Sequence, residues 1–76
     1  MDITIFVKNF ALQFDETEPE LITSDTNYKD LEEWSSLTAL SIIAMVDEEY
    51  DVKLSGNDIK NATSIVDLFE IVKSKV

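Results

Sequence analysis

The chain has no cysteine and no histidine, a single glycine, a single proline and only six lysine or arginine residues. Without cysteine, disulfide staples, thiolate nucleophiles and cysteine-based metal sites are excluded. Without histidine, the commonest general base and the commonest transition-metal ligand are missing, which argues against most self-contained enzymes. No apolar run approaches the roughly 20 residues that cross a bilayer, and Met1-Asp2-Ile3-Thr4 lacks the basic stretch that opens a secretory signal. These absences predict a soluble, cytoplasmic protein.

What the chain does have is acid and apolar surface. Sixteen acidic against six basic residues give a net charge of -10, which repels nucleic acid and anionic membranes and attracts basic protein surfaces. No nucleic-acid or membrane partner is therefore expected, and a basic protein is. At 76 residues and 45% apolar, the chain suits one small domain, near the size at which a core barely offsets conformational entropy.

The apolar residues recur at i, i+3, i+4, i+7 and i+11 in three places, the spacing of one face of an amphipathic helix. Ile3, Phe6, Val7, Phe10 and Phe14 form the first stripe. Ala39, Ile42, Ile43, Val46 and Tyr50 form the second, and Ile65, Leu68, Phe69, Val72 and Val76 form the third. These fifteen positions are the predicted core. The β-branched run Ile3 to Val7 suits a strand on propensity, but no second convincing strand exists to pair with it. Ser55 with Asp58, and Ser64 with Asp67, are spaced as capping boxes with aspartate for glutamate. Gly56 is expected at the edge of the loop before them. The prediction is an all-α fold, a small antiparallel four-helix bundle with main helices near 3-14, 37-50 and 64-75 and a short third helix near 57-61.

Residues 15 to 34 lack clear periodicity and are long for a connection in a compact domain. Pro19 bars a helix interior, while Leu21, Ile22, Tyr28, Leu31 and Trp34 are too apolar for a solvated linker. An ordered loop pinned to the bundle is expected, with Trp34 as a packing anchor. The loop ends at Trp34-Ser35-Ser36-Leu37, which places hydroxyls where the second helix begins. The first N-H groups of a helix are unpaired and its dipole is positive there, so the position favours anions; a serine cap alone is the simpler reading of these four residues.

From Asp47 to Asp58 the chain is acid-rich, which invites comparison with a calcium loop. The comparison fails: Val52 stands where glycine is required, Asp58 where a bidentate glutamate is required, and Lys53 would bring a cation into the site. No metal site is expected.

With these elements placed, the chain resembles the acyl carrier protein family, the phosphopantetheine-bearing carrier domains of fatty acid, polyketide and related thiotemplate pathways. The likeness rests on Thr26-Asn27-Tyr28-Lys29-Asp30-Leu31, Glu33-Trp34-Ser35-Ser36-Leu37, Ile42 through Leu54, and Thr63-Ser64-Ile65-Val66-Asp67-Leu68. Ser36-Leu37 match two residues of the family's Asp-Ser-Leu signature. The resemblance implies a single carrier domain over residues 1-76, with Ser36 as the attachment point for 4'-phosphopantetheine donated by coenzyme A. It implies no catalytic residue in the chain itself, since the arm supplies the thiol and partner enzymes supply acids and bases.

The expected partners are a phosphopantetheinyl transferase and acyl-loading and acyl-processing enzymes with basic docking surfaces, met by a monomeric carrier. The resemblance places their contacts at Ser35, Leu37, Leu40, Ala44, Asp47 and Glu48, with Met45 nearby; Glu49 adds to the negative charge that would steer them. Leu54, Ile59 and Ala62 are candidates to line an interior that shields cargo, or else ordinary core. Ser35 departs from the family, which usually has aspartate there; it keeps a cap and lacks the charge. Thr38 and Ser41 replace the acids usual in fatty acid carriers, which points to a specialised pathway. Two alternatives stand beside this reading: an unmodified carrier-like docking module, and an acidic decoy that imitates nucleic acid.

Overall fold

Asp2 starts the chain's first helix: its carboxylate accepts the Thr4 N-H at 2.8 Å, and α1 runs Ile3–Ala11. In the computed structural model, which describes all residues 1-76, three more α-helices follow and no strand forms. They are α2 (Ser36–Tyr50), α3 (Gly56–Asn61) and α4 (Ile65–Lys75). No helix is long and apolar enough to cross a membrane.

Each start has a side-chain cap that satisfies an otherwise unpaired N-H. Ser55 with Asp58 and Ser64 with Asp67 form the reciprocal boxes expected from their spacing. Gly56, at the loop's edge, is the first residue of α3, which starts one residue earlier than predicted because Ser55 is the cap.

The first helix is shorter than the predicted 3-14. After Ala11 the chain tightens: Gln13 N-H bonds the Phe10 carbonyl and Phe14 N-H bonds the Ala11 carbonyl, both at 3.1 Å. Bonds to the third residue back wind more tightly than an α-helix, which carries Phe14 back into the core after the helix has ended. The periodic stripe outlasts the helix for that reason.

The core is one cluster in which α1 packs on α2 and α4, and α3 on α4. Phe6 lies at its centre, with ring centroids 6.4 Å from Phe10, 5.7 Å from Tyr50 and 5.3 Å from Phe69. Phe10, Phe14, Ile42, Val46, Ile65, Leu68, Phe69 and Val72 are buried with it, and Ile3, Val7, Ala39, Ile43 and Tyr50 pack against them half-buried. Val76 is the exception at 77% exposed, because α4 ends at Lys75 and Val76 lies past the last helical residue, off the stripe that faces the core.

Residues between α1 and α2 form the ordered loop. Two short 3-10 turns, Pro19–Leu21 and Tyr28–Asp30, punctuate it. Pro19 opens the first turn, where a missing N-H costs nothing. Ile22 and Tyr28 are buried, whereas Leu21 faces solvent. The loop is tied to α4 by Ile65 N-H to Thr26 carbonyl and Val66 N-H to Ser24 carbonyl, at 3.1 and 2.9 Å. The Tyr28 hydroxyl donates to the Ile59 carbonyl at 2.6 Å and the Ala62 carbonyl at 3.2 Å, joining the loop to the end of α3.

Candidate attachment site at the start of α2

Two adjacent serines meet different fates at the start of α2. Ser35 is extended (φ -156°, ψ 176°) and is the cap. Its Oγ accepts the Thr38 N-H at 3.4 Å, and its own N-H donates to Thr38 Oγ1 at 2.7 Å. This is a capping box in which threonine fills the position usually held by Glu or Gln. The Thr38 hydroxyl donates to the Ser35 carbonyl at 2.9 Å.

Ser36 is the first helical residue, exposed, and its hydroxyl takes no part in the box. The first α-helical backbone bond at this end is Ala39 N-H to the Ser35 carbonyl. With the Thr38 N-H taken by Ser35, those of Ser36 and Leu37 stay free to meet an anion at the positive end of the helix dipole. An exposed hydroxyl beside two free N-H donors suits an anionic phosphodiester.

The segment leading to Ser36 is held by packing and by a carboxylate. Trp34 is half-buried, its ring centroid 4.8 Å from Tyr28 and 6.5 Å from Phe14, so it packs as expected. Glu33 accepts the N-H groups of Asp15, Glu16 and Thr17 at 3.1, 2.9 and 2.6 Å, and the Thr17 hydroxyl at 2.6 Å. The Thr17 hydroxyl is the first cause that holds the Glu33 carboxyl below the usual carboxylate range; desolvation opposes it, and the N-H groups of Glu16, Thr17 and Asp15 add to the lowering. Sequence reasoning found neither Glu33 nor Thr38 as a functional side chain, since the partners of the first lie sixteen or more residues away.

The predicted contact residues divide along α2. Leu37 and Leu40 are 76% and 60% exposed, and Ala44 is exposed on the same side. Met45 does not join them, being 6% exposed within the core. At about 100° per residue, Met45 lies only about 60° from buried Ile42, whereas Leu40 and Ala44 lie on the far side. Asp47 is paired with Lys53, whose Nζ donates to both carboxylate oxygens at 3.0 and 2.9 Å, while Glu48 and Glu49 are exposed. Leu54, Ile59 and Ala62 are buried in the core. The two cavities in the structure, about 410 and 190 Å³, instead lie against α1, the larger bounded by Val7, Leu12 and Pro19.

No curated protein and no solved structure gives a significant match to the chain. The model of the phosphopantetheine attachment site family matches residues 6–72, which include all four helices apart from their outermost ends and the whole start of α2. Attachment to a serine needs an exposed hydroxyl in surroundings that tolerate a phosphodiester anion, and the start of α2 meets both conditions. The chain therefore belongs to the phosphopantetheine attachment site family and is a carrier domain for 4'-phosphopantetheine.

Proposed function

We propose that the protein carries acyl or aminoacyl groups as thioesters on a 4'-phosphopantetheine arm attached to Ser36, in the cytoplasm and as a monomer. The observation that carries this reading is the Ser36 hydroxyl, exposed at the first position of α2 beside free N-H groups. In the attachment step Ser36 Oγ bonds to the phosphorus of coenzyme A that bears the pantetheine half. The bond from that phosphorus to adenosine 3',5'-bisphosphate breaks, and the hydroxyl proton passes to a base on the transferase. Once bound, the arm supplies the thiol that forms thioesters.

Ser35, Leu37, Leu40, Ala44, Asp47 and Glu48 are the proposed partner surface. The acids support this reading by their placement. Asp47, Glu48 and Glu49 occupy the last turn of α2 with no basic residue there, where the dipole disfavours negative charge. Glu48 and Glu49, unlike Asp47 with its Lys53 partner, oppose the stability of their own helix while presenting charge to a basic partner, an effect felt mainly in association rate. Thr38 spends its hydroxyl on the cap and carries no charge, which favours a specialised pathway over general fatty acid synthesis, with polyketide or related thiotemplate assembly as the other settings.

The test is incubation with coenzyme A and a broad-specificity phosphopantetheinyl transferase, followed by intact mass measurement. One phosphopantetheine should be added, and Ser36→Ala should abolish it. Addition that survives the substitution rejects Ser36. No addition at all favours an unmodified docking module, the reading that Ser35 in place of aspartate supports.

A further inference from the structure

We propose that Glu33 is a positioning residue for modification at Ser36, clasping residues 15–17 so that the start of α2 is held in one orientation toward the transferase. The inference rests on Ser36 being the attachment point. Three successive N-H groups and one hydroxyl converge on the Glu33 carboxylate. Convergent backbone N-H groups of this kind form an anion-binding concavity, and here the anion is the chain's own side chain.

The clasp lies close to the proposed reaction. Glu33 precedes Ser36 by three residues, and its carbonyl accepts the Thr38 hydroxyl at 3.4 Å, a weak bond that runs into the box formed with Ser35. Phe14 and Trp34, the neighbours of Asp15 and Glu33, stack in parallel with the clasp. Two linkages thus join the end of α1 to the start of α2.

The clasp is made by a carboxylate and backbone N-H groups on a surface stretch. Asp15 and Glu16 are exposed, so the arrangement adds nothing to the apolar core. Its effect is to tie a surface segment to the residue three positions before an exposed hydroxyl. Orientation of a reacting group is worth large factors in rate, and this chain lacks the aspartate at position 35 that would otherwise offer the transferase a charged contact.

The experiment compares wild type, Glu33→Ala, Glu33→Gln and Thr17→Val, with Glu20→Gln as a loop control. Phosphopantetheine transfer from coenzyme A is followed by mass spectrometry to separate kcat from KM. Thermal melts and amide hydrogen exchange at residues 15–17 are recorded on the same proteins. Glu33→Ala should lower kcat about ten-fold and speed exchange at Asp15, Glu16 and Thr17, with Glu33→Gln intermediate and Glu20→Gln unchanged. An unchanged kcat alongside faster exchange overturns the proposal, as does a loss of rate that vanishes at a temperature where every variant is folded.

If Glu33→Ala fails to fold, Thr17→Val decides: a fall in kcat supports the clasp, and a wild-type value overturns it. Wild type that accepts no phosphopantetheine, or accepts it despite Ser36→Ala, overturns the Ser36 assignment and this inference with it. Modified wild type with unaffected Glu33 and Thr17 variants overturns the inference alone.

Discussion

Tyr28 shows how much one side chain in a loop can hold. Its ring lies 5.5 Å from Phe10 and 4.8 Å from Trp34, and its hydroxyl reaches two carbonyls 31 and 34 positions along the chain. Burial, and secondarily the charge of Asp67, pushes its pKa up to about 12. Tyr28→Phe should lower stability by about 1–3 kcal/mol in urea unfolding, because it strands buried acceptors. The folded pKa lies above the unfolded value, so this stabilisation is complete below pH 10. It disappears as pH rises from 10 toward 12, and Tyr28→Phe should lose that part of the alkaline transition. The sequence marks Tyr28 as too apolar for a solvated linker; its partners on α3 are invisible there, since no local spacing encodes contacts so distant. The sequence marks Ser35 as a cap, but its reciprocal partner Thr38 escapes notice for another reason: threonine is not the residue that the box signature leads one to seek.

Among the elements, the helix starts are the most legible because a cap is a local bargain between a side chain and the N-H groups three residues on. Asp58 and Asp67 both sit in such boxes, and bonds from the Ser55 and Ser64 N-H groups are the first cause of their lowered pKa values. With Glu33 likewise lowered, all three stabilise the fold above the ordinary carboxylate range. That stabilisation is lost as pH falls through their folded values. Acid titration followed by circular dichroism should therefore show the fold weakening below about pH 4, and Ser64→Ala should reduce stability at neutral pH by about 1 kcal/mol. The ends of elements are less legible. The apolar stripe of α1 continues to Phe14 through a tightened turn, and periodicity alone does not separate such a turn from one more turn of helix. Likewise, Met45 reads as surface beside Ala44 and Leu40 until the rotation of α2 against the core is known.

At the scale of the whole molecule, a charge of -10 sits on a particle with a radius of gyration of 11.0 Å, about the size expected of a compact chain of this length. Few cations offset it. Lys53 is engaged with Asp47, and Lys75 lies 3.5 Å from Asp58. Self-repulsion among the remaining carboxylates should make stability rise with salt or millimolar magnesium, seen as a higher melting temperature; a flat or falling response would reject this. The all-helical fold follows from three stripes and three capped starts, but the path of residues 15 to 34 depends on contacts that only the closed structure brings together. The bond from Tyr28 to the end of α3 carries a consequence for how that structure comes apart. A helix of six residues is far below the ~12 at which an isolated helix becomes even marginal in water, and the loop has little regular backbone pairing of its own. Loop and α3 should therefore open as one cooperative unit, seen as matched amide exchange at Tyr28 and Ala62 that Tyr28→Phe speeds in both, so an event that loosens the approach to Ser36 would also loosen a helix on the far side of α2 in sequence.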